Sequence, residues 1–153
     1  MEQAERDAKM EQVLRYFMEI SPFANHLGLE LVWARDGEVE VAADIQPFHA
    51  NTQGIAHGGL VCSLADQAGP LAVATRLKKG QILRTVQLDV HYLAPGKCSR
   101  IIARGKAVKT GGRIAVADVE VVDENGKALA VARVLCAVVD VPGDGTKPAI
   151  FQE

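Results

Sequence analysis

Hydrophobic positions along the chain follow two different periods, and each period predicts a different kind of element. Residues 58–77 carry apolar side chains at every third or fourth position, which predicts a long helix with the stripe Leu60, Leu64, Ala68, Leu71 and Ala72. The opposite face of this helix is small rather than charged, with Ser63, Ala65 and Gly69. A helix without a charged face is typical of a buried helix, so we expect it to lie in the core.

A second apolar stripe, in residues 2–20, predicts an amphipathic N-terminal helix. Its apolar positions are Val13, Leu14, Phe17 and Ile20, and Ser21 and Pro22 are expected to end it. The composition favours a helix that covers one edge of the core over a helix that binds a membrane.

Six segments have the alternation or the short apolar runs of strands: 27–34, 39–43, 84–93, 101–108, 114–122 and 128–141. The first two flank Arg35-Asp36-Gly37-Glu38, a hairpin signal, and 109–113 forms another. Within 84–93, strict alternation places Val86, Leu88, Val90 and Tyr92 on one face and Thr85, Gln87, Asp89 and His91 on the other.

Two strands, one long helix and about four further strands predict an α+β fold. Because a single helix of matching length must cover the apolar face of the sheet, we expect an antiparallel sheet wrapped around that helix. We predict three parts: an N-terminal helix packed on the domain (1–22), the domain itself (23–141) and a C-terminal tail (142–153).

Composition excludes several classes of function. The chain has 153 residues, 48% hydrophobic content and a formal net charge of −2, which gives no reason to expect nucleic acid or an anionic membrane as partner. The N-terminal residues lack the apolar core of a signal peptide, and Cys62, Cys98 and Cys136 lack zinc-site spacing. We therefore expect a cytoplasmic protein with three reduced thiols and no membrane-spanning segment.

Two features of the long helix carry the candidate chemistry. Gly58 and Gly59 begin it, and a helix N-terminus presents unpaired backbone N–H groups that can form an oxyanion hole. Asp66 lies eight residues further on, and a lone acid in a buried helix is costly unless it is paired, protonated or open to a cleft. Pro70 removes the partner of the Asp66 carbonyl, which favours a cleft at this point. A purely structural Asp66 remains an alternative.

The spacing N-x-x-G-x-x-H-G-G, six residues and then an acid, resembles the phenylacetate-pathway (PaaI-like) branch of hotdog-fold acyl-CoA thioesterases. The matching residues are Asn51, Gly54, His57, Gly58, Gly59 and Asp66. The resemblance extends over roughly residues 24–140. It implies a hotdog fold with about six strands around one central helix, an acyl-CoA substrate and a homo-oligomer, either a dimer or a tetramer.

The resemblance also implies roles for single residues. Asp66 is the catalytic carboxylate, acting as nucleophile or general base. His57 is a supporting residue that orients the loop, and Asn51 helps to position the thioester or the attacking water. Thr85 falls where the family carries a serine near that water. The candidate substrate-binding residues are Gly59 and Ser63.

We expect no cofactor and no metal, because His57 and Asp66 lack ligand spacing and no Cys/His cluster supports them. Two other functions stay open: a hotdog hydratase or dehydratase acting on enoyl or hydroxyacyl thioesters, and a non-catalytic acyl-CoA-binding module. Candidate cations for the CoA phosphates are Arg76, Lys78, Lys79, Arg84 and Arg113.

Helix geometry predicts where the active site lies. Eight residues at 1.5 Å each separate Gly58 from Asp66 by about 12 Å, whereas reacting atoms must come within ~3.5 Å. One helix cannot supply both groups to one carbonyl. We therefore expect each site to combine Asn51, His57 and Gly58 of one subunit with Asp66 of its neighbour.

Overall fold

The computed structural model describes residues 2–141, so the predicted tail lies outside the described residues. Three α-helices and six strands follow the chain in the order α1 (Gln3–Ile20), α2 (Pro22–Leu27), β1 (Glu30–Arg35), β2 (Glu38–Asp44), α3 (Gly58–Ala74), β3 (Gln81–Tyr92), β4 (Arg100–Thr110), β5 (Ile114–Asp123) and β6 (Ala128–Asp140). A short 3₁₀ helix, Pro47–His49, precedes α3. Within residues 2–141, no helix is both long enough and apolar enough to cross a membrane.

The six strands form one antiparallel sheet in the order β1-β2-β4-β5-β6-β3. One face of the sheet packs on α3, whose Leu64, Ala65 and Ala68 are completely buried. Inward-facing residues of the strands complete the core, among them Val121 and Val134. This arrangement confirms the predicted α+β sheet wrapped around one long helix.

Glycines and alanines let α3 pack closely against the sheet. A Cβ atom at Gly105 of β4 would lie 2.3 Å from the backbone carbonyl oxygen of Ala68, and one at Gly69 would lie 2.8 Å from a methyl group of Val134. Because backbone atoms cannot move aside as a flexible side chain can, Gly105 sets the distance between helix and sheet.

The two edges of the sheet differ. At β1, α1 supplies side chains to the unpaired backbone: Arg15 Nη1 donates to the carbonyl of Leu31 at 2.7 Å, and Glu11 Oε2 accepts from the N–H of Ala34 at 3.1 Å. The 12 residues of β3 form the other edge, and no element within residues 2–141 pairs with its outer side. The N-terminal helix thus protects one edge only.

The predicted elements and the structure differ mainly at their ends and in short helices. All six strands and both long helices are present. The sequence pattern missed α2, which Ser21 caps through a hydrogen bond to the N–H of Ala24 and which has proline in its first turn. Helix α3 ends at Ala74 rather than near residue 77. Beyond it, the N–H groups of Arg76 and Leu77 bond carbonyls only three residues back, so the chain turns out of the α-helix.

Candidate active site

The N-terminus of α3 leaves one backbone donor without a partner. His57 is the N-cap residue, and its Nδ1 accepts the N–H of Gly59 at 2.8 Å. The N–H of Leu60 donates to the His57 carbonyl at 2.9 Å. The N–H of Gly58 has no acceptor within residues 2–141. The positive end of the helix dipole therefore coincides with the free donor of Gly58.

Tyr92, at the end of β3, reaches the same helix terminus. Its hydroxyl donates to the carbonyl of Gly58 at 2.7 Å and lies 2.9 Å from the thiol of Cys62. Desolvation of the hydroxyl, reinforced by the contact with Cys62, raises the pKa of Tyr92 to about 12, so the hydroxyl stays protonated near neutral pH. We did not predict a site role for Tyr92; its place on the apolar face of strand 84–93 was the only signal.

Asp66 lies at the middle of the open side of α3. That side is formed by Gly59, Cys62, Ser63, Asp66, Gln67, Pro70 and Ala74, none of which is buried. The expectation that Asp66 lies inside a fully buried helix is therefore wrong for the single chain. The sheet covers only one side of α3, and the open side is small and weakly polar rather than charged, which made it look like a buried surface in the sequence.

Thr85 is the hydrogen-bond partner of Asp66. Its Oγ1 donates to Asp66 Oδ1 at 2.8 Å. Cys136 pairs with Thr85 across the sheet and is fully buried, and burial raises the pKa of its thiol, which therefore stays neutral. The exposed carboxylate of Asp66 is thus held by one hydroxyl beside a neutral thiol.

A β-bulge turns Thr85 towards α3. The register between β3 and β6 shifts between Thr85 and Gln87, so Val86 is an extra residue without a cross-strand partner. Thr85 therefore shares its face with Leu88 and Tyr92, which face the helix. The predicted strict alternation, which put Thr85 on the face of Gln87, Asp89 and His91, is wrong at this point.

Asn51 organises the loop that precedes α3. Its Oδ1 accepts the N–H of Gln53 at 2.9 Å and the N–H of Ile55 at 3.3 Å, the arrangement of an Asx turn. The backbone of this loop leads to His57, whose N–H donates to the carbonyl of the buried His49 at 2.7 Å. The side-chain oxygen of Asn51 is thus used by the loop, and its amide nitrogen has no partner within residues 2–141.

Three cavities lie beside α3. One of about 380 Å³ is lined by Asn51, Gly58, Val61, Tyr92 and Pro95, among others. One of about 220 Å³ lies beside Ser63 and Gly59, between Phe23 and Phe48, although the Ser63 hydroxyl itself donates to the Gly59 carbonyl at 2.8 Å. A third, of about 630 Å³, lies between α1 and the C-terminal half of α3.

The structure therefore separates the predicted residues into two clusters. His57, Gly58 and Gly59 meet at the helix terminus, with Asn51 on the preceding loop, whereas Asp66 and Thr85 meet two turns further along α3. Among the described residues, no three His, Cys, Asp or Glu side chains lie together as a metal site would require.

Comparisons with known proteins point to one family. The sequence pattern of the thioesterase superfamily matches residues 53–130. A medium/long-chain acyl-CoA thioesterase, YigI of Salmonella typhimurium, is 31% identical over 119 residues, which is 68% of this chain and 77% of the relative. A 1,4-dihydroxy-2-naphthoyl-CoA hydrolase of Listeria monocytogenes is 26% identical over 117 residues, 73% of this chain and 91% of the relative.

The fold is similar to that of solved structures. The E. coli PaaI protein from the phenylacetic acid degradation operon superposes with a TM-score of 0.80 at 22% identity, covering 89% of this chain and 99% of that one. At this identity the likeness concerns the fold alone.

Proposed function

This chain belongs to the thioesterase superfamily, and from that premise we propose that it hydrolyses an acyl-CoA thioester to the free acid and CoA. The observation that carries the proposal is the pair formed by Asp66 and Thr85 on the open side of α3. A carboxylate that is exposed and oriented by a hydroxyl can act on a substrate.

In the proposed reaction, Asp66 acts in one of two ways. As a general base, it removes a proton from a water molecule, whose oxygen attacks the thioester carbonyl carbon. As a nucleophile, it attacks that carbon itself and forms a mixed anhydride that water then hydrolyses. In both cases the C–S bond breaks and the CoA thiolate leaves to take up a proton. Thr85 holds the carboxylate in one orientation.

The free N–H of Gly58 is the proposed donor to the carbonyl oxygen. Negative charge develops on that oxygen in the transition state, and the helix dipole and the N–H both stabilise it. Losing one such donor typically costs ~10²–10³ in rate. We assign His57 and Asn51 to the support of this donor and its loop, and we assign Gly59 and Ser63 to the wall beside the bound substrate.

A second copy of the chain is needed to bring the two clusters together. Gly58 and Asp66 are separated by about 12 Å along one helix, too far for both to act on one carbonyl. We propose that each site combines Gly58 of one subunit with Asp66 of another. The unprotected edge of β3 supports this, because a long unpaired edge strand that also carries Thr85 and Tyr92 is suited to pairing with a second copy.

The named relatives support a CoA thioester as the substrate, but they do not indicate which acyl group it carries. The two relatives named above act, by their names, on CoA thioesters with very different acyl groups. Of the candidate cations for the CoA phosphates, Arg76 is already bonded to Asp36 at 2.9 Å, which leaves Lys78, Lys79, Arg84 and Arg113.

Thiol release from a panel of acyl-CoAs tests the proposed function. We expect the wild-type protein to release free CoA, and Asp66→Asn to lower kcat by at least about 10³-fold while KM changes little, since the carboxylate acts in the transition state. Asp89→Asn, an exposed acid on the other face of β3, is the matched control and should keep wild-type kcat.

Two outcomes would contradict the proposal. Hydration of an enoyl-CoA without thiol release would indicate a hydratase. Binding of acyl-CoA without any turnover would indicate a binding module.

A further inference from the structure

One peptide group at the start of α3 is held from both sides. The C=O of Gly58 and the N–H of Gly59 belong to the same peptide. The carbonyl accepts the hydroxyl of Tyr92 at 2.7 Å, and the N–H donates to Nδ1 of His57 at 2.8 Å. We call this peptide with its two side-chain partners the Gly58–Gly59 clamp.

The two glycines explain why such a clamp is useful. Glycine has more backbone freedom than any other residue, and two in succession at a helix terminus allow the first turn to change orientation. The free N–H of Gly58 belongs to the adjacent peptide, so rotation of the Gly58–Gly59 peptide would also redirect that donor.

A larger residue at either glycine would press against the clamp. A Cβ atom at Gly58 would lie 3.1 Å from the Tyr92 hydroxyl oxygen, and one at Gly59 would lie 2.9 Å from His57 Nδ1. The side chains that crowd these two positions also supply the rigidity that glycine lacks.

Tyr92 has no evident role in the core. Its side chain is 54% exposed, although it lies on the helix-facing side of β3, and its ring lines the 380 Å³ cavity beside Gly58. Its hydroxyl has two partners, the Gly58 carbonyl and the Cys62 thiol. An exposed tyrosine whose hydroxyl bonds the backbone next to a free donor is placed to orient that donor.

We propose that Tyr92 is a positioning residue, which acts together with His57 to hold the Gly58–Gly59 peptide so that the N–H of Gly58 stays directed at the thioester oxygen. This inference rests on the function proposed above. It adds Tyr92 of β3 to the residues that act at the N-terminus of α3. The role belongs to the hydroxyl of Tyr92 and not to its ring.

The first test removes the Tyr92 hydroxyl and keeps its ring. In Tyr92→Phe we expect kcat to fall about tenfold and KM to stay within about twofold, because a misdirected donor weakens the transition state more than the bound substrate. Tyr16→Phe is the matched control, since Tyr16 is the other tyrosine of the chain and is exposed on α1. It should leave both constants unchanged.

Two further measurements separate positioning from a general structural effect. In Tyr92→Phe, hydrogen exchange of the Gly59 amide, followed by NMR, should accelerate while core amides of β5 and β6 keep their protection. In a double-mutant cycle with His57→Ala, the loss of kcat in the double variant should be smaller than the product of the single losses, because both side chains act through one peptide.

The outcomes distinguish this inference from the proposed function. Wild-type kcat in Tyr92→Phe, or losses that multiply in the cycle, would overturn the positioning role while acyl-CoA hydrolysis stands. If the wild-type protein releases no thiol from any acyl-CoA, the proposed function fails. In that case, an unchanged rate of hydrogen exchange at the Gly59 amide in Tyr92→Phe would still refute the clamp.

Discussion

A single hydroxyl determines how the candidate catalytic carboxylate is presented. Asp66 is exposed, and its one side-chain partner within residues 2–141 is Thr85. This hydrogen bond favours one orientation of the carboxylate. At the scale of single residues, the proposed chemistry therefore depends on Thr85 as well as on Asp66.

Replacing Thr85 by valine tests this dependence, because valine keeps the shape and removes the hydroxyl. We expect kcat of Thr85→Val to fall about ten- to a hundredfold, in line with the loss of one charged hydrogen bond. Steady-state kinetics of thiol release measures it. Thr85→Ser keeps the hydroxyl and should retain most activity. Equal activity of the valine and serine variants would show that Asp66 does not use this bond.

At the scale of elements, small residues allow the helix to lie against the sheet. Gly105 of β4 sits directly under α3, where the nearest atom to an added Cβ would be the carbonyl oxygen of Ala68 at 2.3 Å. The position of α3 sets where Asp66 meets Thr85 and where Gly58 meets Tyr92. The packing of helix on sheet thus controls both clusters together.

Gly105→Ala should destabilise the protein, because the added methyl group must displace backbone rather than a side chain. We expect the free energy of unfolding to fall by about 1–3 kcal/mol, as is typical of overpacked cores. Denaturant unfolding at one fixed protein concentration measures the change.

Gly112→Ala is the matched control for this substitution. An added Cβ at Gly112 meets nothing within 4 Å. Its stability should stay close to that of the wild type. Equal stability of the two variants would show that α3 can shift away from the sheet without cost.

At the scale of the whole molecule, one edge of the sheet is covered by another element and the other edge is not, within residues 2–141. Arg15 and Glu11 of α1 bond the exposed backbone of β1, whereas β3 has no such cover within residues 2–141. Natural proteins rarely leave a long edge strand unprotected, since it would pair with other chains. The proposed subunit contact along β3 accounts for this difference.

Mixing two inactive variants tests whether sites are shared between subunits. We expect Asp66→Asn and Gly58→Val each to be inactive alone and to regain about a quarter of wild-type activity after joint dissociation and reassociation. In a two-fold dimer, random pairing makes about half of the dimers mixed, and each mixed dimer contains one intact site of two. The Asn51 side chain is left unchanged, because its oxygen holds the preceding loop.

The mixing experiment needs two controls. Light scattering on the wild-type protein should show a dimer or tetramer at micromolar concentration, and mass spectrometry should confirm that mixed dimers form. Mixed dimers without activity would place both groups of each site in one chain and refute the shared site.

The sequence determined most of the elements, because hydrophobic period is a local property. The stripe in residues 58–77 predicted α3, and segments with alternation or apolar runs predicted all six strands. Asp36-Gly37 predicted the turn between β1 and β2, where Gly37 has a positive φ of 74°. The candidate residues Gly58 and Asp66 were also identified from the sequence. Their distance from each other followed as well, because the rise of a helix per residue is constant.

Only the tertiary structure decided which of these residues meet. The contact of Thr85 with Asp66 depends on a bulge at Val86, and a bulge is set by pairing between distant strands rather than by local pattern. The bond from Tyr92 to Gly58 joins residues 34 positions apart. The exposure of Asp66 depends on how far the sheet extends around α3. Each of these is a long-range contact, which the period of a single segment cannot encode.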